Sequence, residues 1–174
     1  MDRHRKRRGQ SLVEFAITSA VLVVLFGGLV DISRAIQFAD VLHNAARQGA
    51  RYGAWWSEGT NSNPHLNDTA IKGAVDQELI AGGLPASVLK NSVASLGCAL
   101  TATDGNAHSN PPYATANFPS ASNQPWLYIC QTAGTPADLN VAVLMTYGPL
   151  TGFIPRGIPG GFATGTNWHV AVQR

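Results

Sequence analysis

The sequence predicts an α+β fold: a long N-terminal helix, a second short helix, and a small antiparallel sheet of three to four strands. Three observations predict it. Residues 15–30 carry no charged side chain, so the chain opens on an apolar run of membrane length. From residue 31 to residue 56 there is no proline, and small apolar side chains recur at three- and four-residue steps, the spacing of one helix face. Beyond residue 90, β-branched and aromatic runs bounded by Gly, Pro and Asn replace that period, which is the pattern of strands.

The 174 residues suit one domain plus an anchor. The formal charge of +2 hides an asymmetry, because five of the 12 Lys and Arg (Arg3, Arg5, Lys6, Arg7, Arg8) fall in the first eight residues. Without residues 1–9, seven basic and nine acidic residues remain. A nucleic-acid-binding domain needs a basic face; none is legible, and no nucleic-acid partner is expected. Residues 1–9 read as a basic leader peptide, disordered and separated from the apolar run by Gly9. Next to such a run, the leader is a topology signal that keeps the N-terminus cytoplasmic and sends the rest out of the cytoplasm.

Residues 10–30 form the transmembrane helix. From Leu12 to Val30 the run is 19 residues, about 28 Å of helix against a hydrocarbon core of about 30 Å. Gly27 and Gly28 would each cost about 1 kcal/mol in a soluble helix; in a bilayer they let another helix approach. Residues 31–56 are the extracytoplasmic continuation. Ile32, Ala35, Ile36, Ala39, Leu42, Ala46, Ala50 and Ala54 make its apolar stripe, with Asp31, Arg34, Asp40, Asn44, Arg47 and Arg51 opposite. The rod 11–56 is about 70 Å long.

Residues 57–174 make a small α+β globular domain. After a loop at 57–67, Asp68 is positioned to cap a helix over 68–81, with Ile71, Val75, Leu79 and Ile80 apolar and Gly82-Gly83 ending it. Strands are predicted at 92–100, 126–130, 139–147 and 167–172, with long loops at 104–125 and 148–165. A sheet this small needs a cover on one face, which helix 68–81 and the outer half of the rod can supply. Trp55 and Trp56 lie too far from the bilayer for an interfacial belt and are expected to pack in the core.

Gly9-Gln10-Ser11-Leu12-Val13-Glu14-Phe15 and the apolar run resemble the start of type IV pilins and pseudopilins. Together with Asn44-Ala45-Ala46-Arg47-Gln48-Gly49-Ala50-Arg51-Tyr52 they resemble more closely the TadE-like minor pseudopilins of tight-adherence (Tad/Flp) pilus systems. The resemblance covers residues 5–54. It implies a pilin-like protein of the bacterial inner (cytoplasmic) membrane, single-pass, cut between Gly9 and Gln10 by a prepilin peptidase. Its partners would be other pilins or pseudopilins and the pilus assembly platform, and its role assembly or initiation of a pilus used in adhesion, surface colonisation and biofilm formation.

A carboxylate within a membrane helix costs about 2.5–3.5 kcal/mol on insertion scales, so Glu14 calls for a partner. The resemblance supplies one, the N-terminal amine of a neighbouring subunit; the alternative is that Glu14 snorkels to water at headgroup level. Asn44, Arg47, Gly49, Arg51 and Tyr52 form a packing or docking helix face, or else a solvated face paired within the chain; Arg47 and Arg51 repel at i, i+4 unless an acid sits opposite, and Asp40 lies seven residues before Arg47 and Glu58 seven after Arg51. Cys98 and Cys130 both lie beyond the apolar run, where a disulfide closing about 33 residues would add about 3–4 kcal/mol; two unrelated buried thiols are the alternative. The five histidines are scattered without ligand spacing, and no nucleophile elbow, Walker loop or zincin motif is present. The sequence thus predicts no enzyme, no metal and no cofactor. A rival reading makes residues 1–35 a signal peptide cleaved after Ala35, releasing a soluble binding or adhesin domain.

Overall fold

The computed structural model describes residues 3–55, 64, 67–91, 118–131, 138–151 and 162–172. Within them the order is α1 (Arg3–Ala54), α2 (Asp68–Ala81), β1 (Val88–Asn91), β2 (Trp126–Gln131), β3 (Asp138–Tyr147) and β4 (Phe162–Ala171). The α+β class and the two-helices-then-sheet order are as predicted.

Helix α1 is a single rod of 52 residues, about 78 Å long. It runs unbroken through residue 30 and also through Gly9, back to Arg3. The helix thus takes in leader residues from Arg3 onward. Arg and Lys are good helix formers, and one glycine costs only about 1 kcal/mol, too little to stop a helix already propagating on its C-terminal side. Asn67 rather than Asp68 caps α2, its side chain accepting from the Ala70 N–H at 3.0 Å. Gly83, at φ +82°, closes the helix in a conformation glycine adopts without strain.

The two helices pack at close range. A side chain at Gly49 would run into Val75, and one at Gly53 into Leu139 and Ile71. Gly82 likewise leaves no room against Val41. The glycines that weaken α1 locally are what allow α2 and the sheet to approach it. The buried face of α1 is Phe38, Leu42, Ala45, Ala46, Ala50 and Ala54. Leu42, Ala46, Ala50 and Ala54 belong to the predicted stripe, and only its inner end is corrected. Ile32 and Ile36 are exposed, Ile36 by 60 %, while Asp31, assigned to the polar side, is fully buried.

The sheet has the order β1-β2-β3-β4. It is mixed rather than antiparallel throughout: β1 runs parallel to β2, while β2–β3 and β3–β4 are antiparallel. The edge strand β1 follows α2 directly and lies before the predicted strand 92–100, which falls outside the described residues. Strand β4 starts at Phe162, five residues earlier than predicted, so part of the expected 148–165 loop is strand. Gly165, read as loop, instead sits opposite Leu144, where a side chain would strike it.

Alternating residues of β2 and β3 (Leu127, Ile129, Leu139, Val141, Val143, Met145) bury against the two helices, as period-2 patterning requires. The opposite face carries a smaller cluster of Tyr128, Cys130, Ala142 and Leu144, packed by Phe118 and Trp126. The segment 118–125 straps this face. Thr146 Oγ1 donates to Pro119 O at 2.7 Å, Asn123 N–H to Thr146 O at 2.7 Å, and Gly148 N–H to Asn123 Oδ1 at 3.0 Å.

Candidate functional site

The predicted processing and contact residues stand at the start of α1. Gly9 is helical and exposed, with nothing within 4 Å of the place a Cβ would occupy. Gln10 and Glu14 are one turn apart, and Gln10 Nε2 donates to Glu14 Oε1 at 3.1 Å. Around them Leu12, Val13, Phe15 and Ile17 are exposed. The uncovered apolar surface continues through Val21, Leu22, Val23, Val24, Leu25 and Phe26 to Leu29 and Val30. The hydroxyls of this column bond back to their own helix: Thr18 donates to Glu14 O at 2.8 Å, Ser19 to Ala16 O at 3.0 Å and Ser33 to Leu29 O at 2.8 Å. Self-satisfied hydroxyls suit an apolar solvent. This helix is long and apolar enough to cross a membrane.

At the far end of the run, the sheet reaches back to the helix. Strand β3 descends alongside α1, with Leu139 beside Gly53 and Val141 beside Gly49. At its end Tyr147 donates to the Asp31 carbonyl at 3.1 Å. The Asp31 carboxylate then accepts from Leu150 N–H at 2.9 Å, from Thr151 N–H at 3.4 Å, and from the Thr151 hydroxyl. The Thr151 hydroxyl, the two backbone N–H groups and nearby Arg34 hold the Asp31 carboxyl below the usual carboxylate range, against the opposing effect of burial. Arg34 also lies over the Phe38 ring at 5.4 Å, and Phe38 meets Tyr147 edge-on at 5.9 Å. Sequence reading missed this clasp. An acid at the end of an apolar run was visible, but its partners lie about 120 residues away.

The segment 44–52 divides by face. Gly49 is buried at the α1–α2 contact and Asn44 is exposed. Arg47 lies over Trp168 of β4 at 5.5 Å, and His43 meets the same ring edge-on at 5.4 Å. Arg51 lies over Trp55 at 5.7 Å. Both arginines therefore find aromatic faces, a cation–π arrangement, within the chain; Glu58, one of the acids expected near them, falls outside the described residues. Trp55 is 62 % exposed and does not pack in the core; Trp56 lies outside the described residues. Tyr52 and Trp55 border an open groove of about 530 Å³ between α1 and α2. Cys130 is buried and disulfide-bonded; Cys98, its expected partner, lies outside the described residues.

Residues 9–51 match the family described as TadE-like protein. The TadE-like segment takes in Gly9, Glu14, Asp31 and all but the last residue of the 44–52 motif. The match associates the chain with Tad pili. No curated protein and no solved structure matches the chain. The family match ends within α1, before α2, the sheet and the strap.

Proposed function

We propose that this protein is a minor pseudopilin of a Tad/Flp-type pilus system, stored in the inner membrane and drawn into, or used to start, a pilus. It acts as a structural subunit without catalytic chemistry. The observation that carries this reading is the uncovered apolar column of a TadE-like helix bearing one carboxylate, Glu14, five residues beyond Gly9. The basic leader faces the cytoplasm and the globular domain stands outside. A prepilin peptidase cuts between Gly9 and Gln10, where the helix surface is open. The cut turns Gln10 into a cationic N-terminus, and Glu14 of one subunit meets that amine on the next. An unpaired carboxylate in lipid is costly, so the pairing favours register in an assembly. Before the cut, Glu14 rests on the neutral Gln10 amide.

Retention of the whole helix is supported by Asp31, whose carboxylate receives Leu150 and Thr151 of the domain. Cleavage after Ala35 would discard that anchor. Mass spectrometry of the mature N-terminus in cells holding the matching peptidase tests the proposal. The expected start is Gln10; a start at Ile36 would instead make the protein a secreted soluble domain. Glu14→Leu is expected to leave membrane insertion intact and to abolish or sharply reduce surface piliation, counted by electron microscopy of deletion strains complemented with either form.

A further inference from the structure

The end of β3 brings an exposed apolar side chain to the level at which α1 leaves its membrane-length run. Leu150 is 67 % exposed, and its N–H is bonded at 2.9 Å to the carboxylate of Asp31, the first residue after the run. Its height along α1 is thus tied to that of Asp31. Leu29, Val30 and Ile32, the helix residues flanking Asp31, are exposed too. Asp31 itself is fully buried and receives Leu150 and Thr151. The next charged residue outward is Arg34, about 4.5 Å farther along the helix axis. The order is an apolar collar, a hidden acid, then a cation, which matches acyl boundary and anionic headgroups in sequence.

We propose that the β3 tip is a lipid contact: Leu150 inserts at the acyl–headgroup boundary beside α1, and the Asp31–Thr151 clasp sets its depth. The occupant of this apolar surface is the bilayer interface, because the surface is continuous with the membrane-length column of α1. The consequence is that the globular domain stands on the membrane in one orientation, with β3 pointing down at the lipid. The inference rests on the membrane-spanning reading of α1, and its test separates the two.

Variants of the full chain with one added cysteine, labelled under non-reducing conditions with an environment-sensitive nitrobenzoxadiazole dye, are reconstituted in phosphatidylethanolamine–phosphatidylglycerol vesicles. Leu150→Cys is compared with Val23→Cys inside the run and with Thr69→Cys on α2, near the outer end of α1. The expected result is blue-shifted emission at 150 and 23 and water-like emission at 69. Nitroxide lipid labelled near the headgroup should quench position 150, and lipid labelled deep in the chain should quench position 23. Water-like, unquenched emission at 150 with quenching retained at 23 would overturn the lipid contact and leave the span. Blue-shifted emission at 150 without lipid quenching would overturn it too, and assign the surface to a second copy of the protein. Loss of quenching at 23 would remove the membrane reading and this inference together.

Discussion

Asp31 is a charged residue at the end of the apolar run; on the proposed membrane placement it stands at the edge of lipid, where an exposed carboxylate is expensive. The protein resolves this by wrapping it: three donors from residues 150 and 151 reach the carboxylate, and Tyr147 donates to the carbonyl of the same residue. Its folded pKa is lowered, so its contribution to stability is complete above the free carboxyl value of about 3.9. It is lost as pH falls through the lower folded value. Thermal unfolding of the detergent-solubilised chain, followed by near-UV circular dichroism, should show Tm falling on acidification below about pH 4. Asp31→Asn should have a lower Tm at neutral pH and a shallower acid limb; parallel curves for the two proteins would remove Asp31 from the account. Gly49 and Gly28 make a second contrast at this scale. Gly49→Ala drives a methyl into Val75 and should destabilise the domain by about 1–3 kcal/mol in denaturant titrations. Gly28→Ala meets nothing within 4 Å and should leave the domain's unfolding midpoint unchanged.

Among the elements, the segment 118–125 contributes more than its composition suggests. A stretch rich in Ser, Asn and Pro was expected to be loop, yet it closes the second face of the sheet through Asn123 and Thr146. Asn123 holds φ +59°, a left-handed conformation that asparagine tolerates better than alanine. Asn123→Ala loses both that tolerance and the acceptor for Gly148, and should cost about 1–3 kcal/mol by chemical denaturation. Asn123→Gly keeps the backbone freedom and should cost less. Strand β4 has a comparable history. Gly165 reads as a breaker in a proline-rich tract, but it lies opposite Leu144, whose side chain fills the space above it. Tertiary packing, which no local window contains, turned a turn residue into a strand residue.

For the molecule as a whole, the domain is held to α1 at both ends of that helix's outer half, by Gly49 and Gly53 against α2 and β3, and by Asp31 against the β3 tip. The disulfide at Cys130 lies in the smaller core, on the far side of the sheet from the helices. We expect Cys98 to be its partner, and Cys130→Ser or reduction to lower stability by about 3–4 kcal/mol, the chain-entropy range for a loop of this length. Non-reducing peptide mapping checks the pairing.

The sequence by itself determined the apolar run, its unbroken helical continuation, α2 and strands β2 and β3, because these follow from short-range periods of 3.6 and 2 read along the chain. It also carried the proposed processing and contact residues of the opening stretch, Gly9 and Glu14, as a motif. The stripe Leu42, Ala46, Ala50 and Ala54 was legible in the sequence; only the tertiary structure decided its inner end, where Asp31 and Ile36 exchange their expected environments once Thr151 arrives from about 120 residues away. The parallel β1, the strap and the strand role of Gly165 were decided in the same way. Each depends on a partner distant in sequence, and local propensity is blind to partners that only the closed chain brings together.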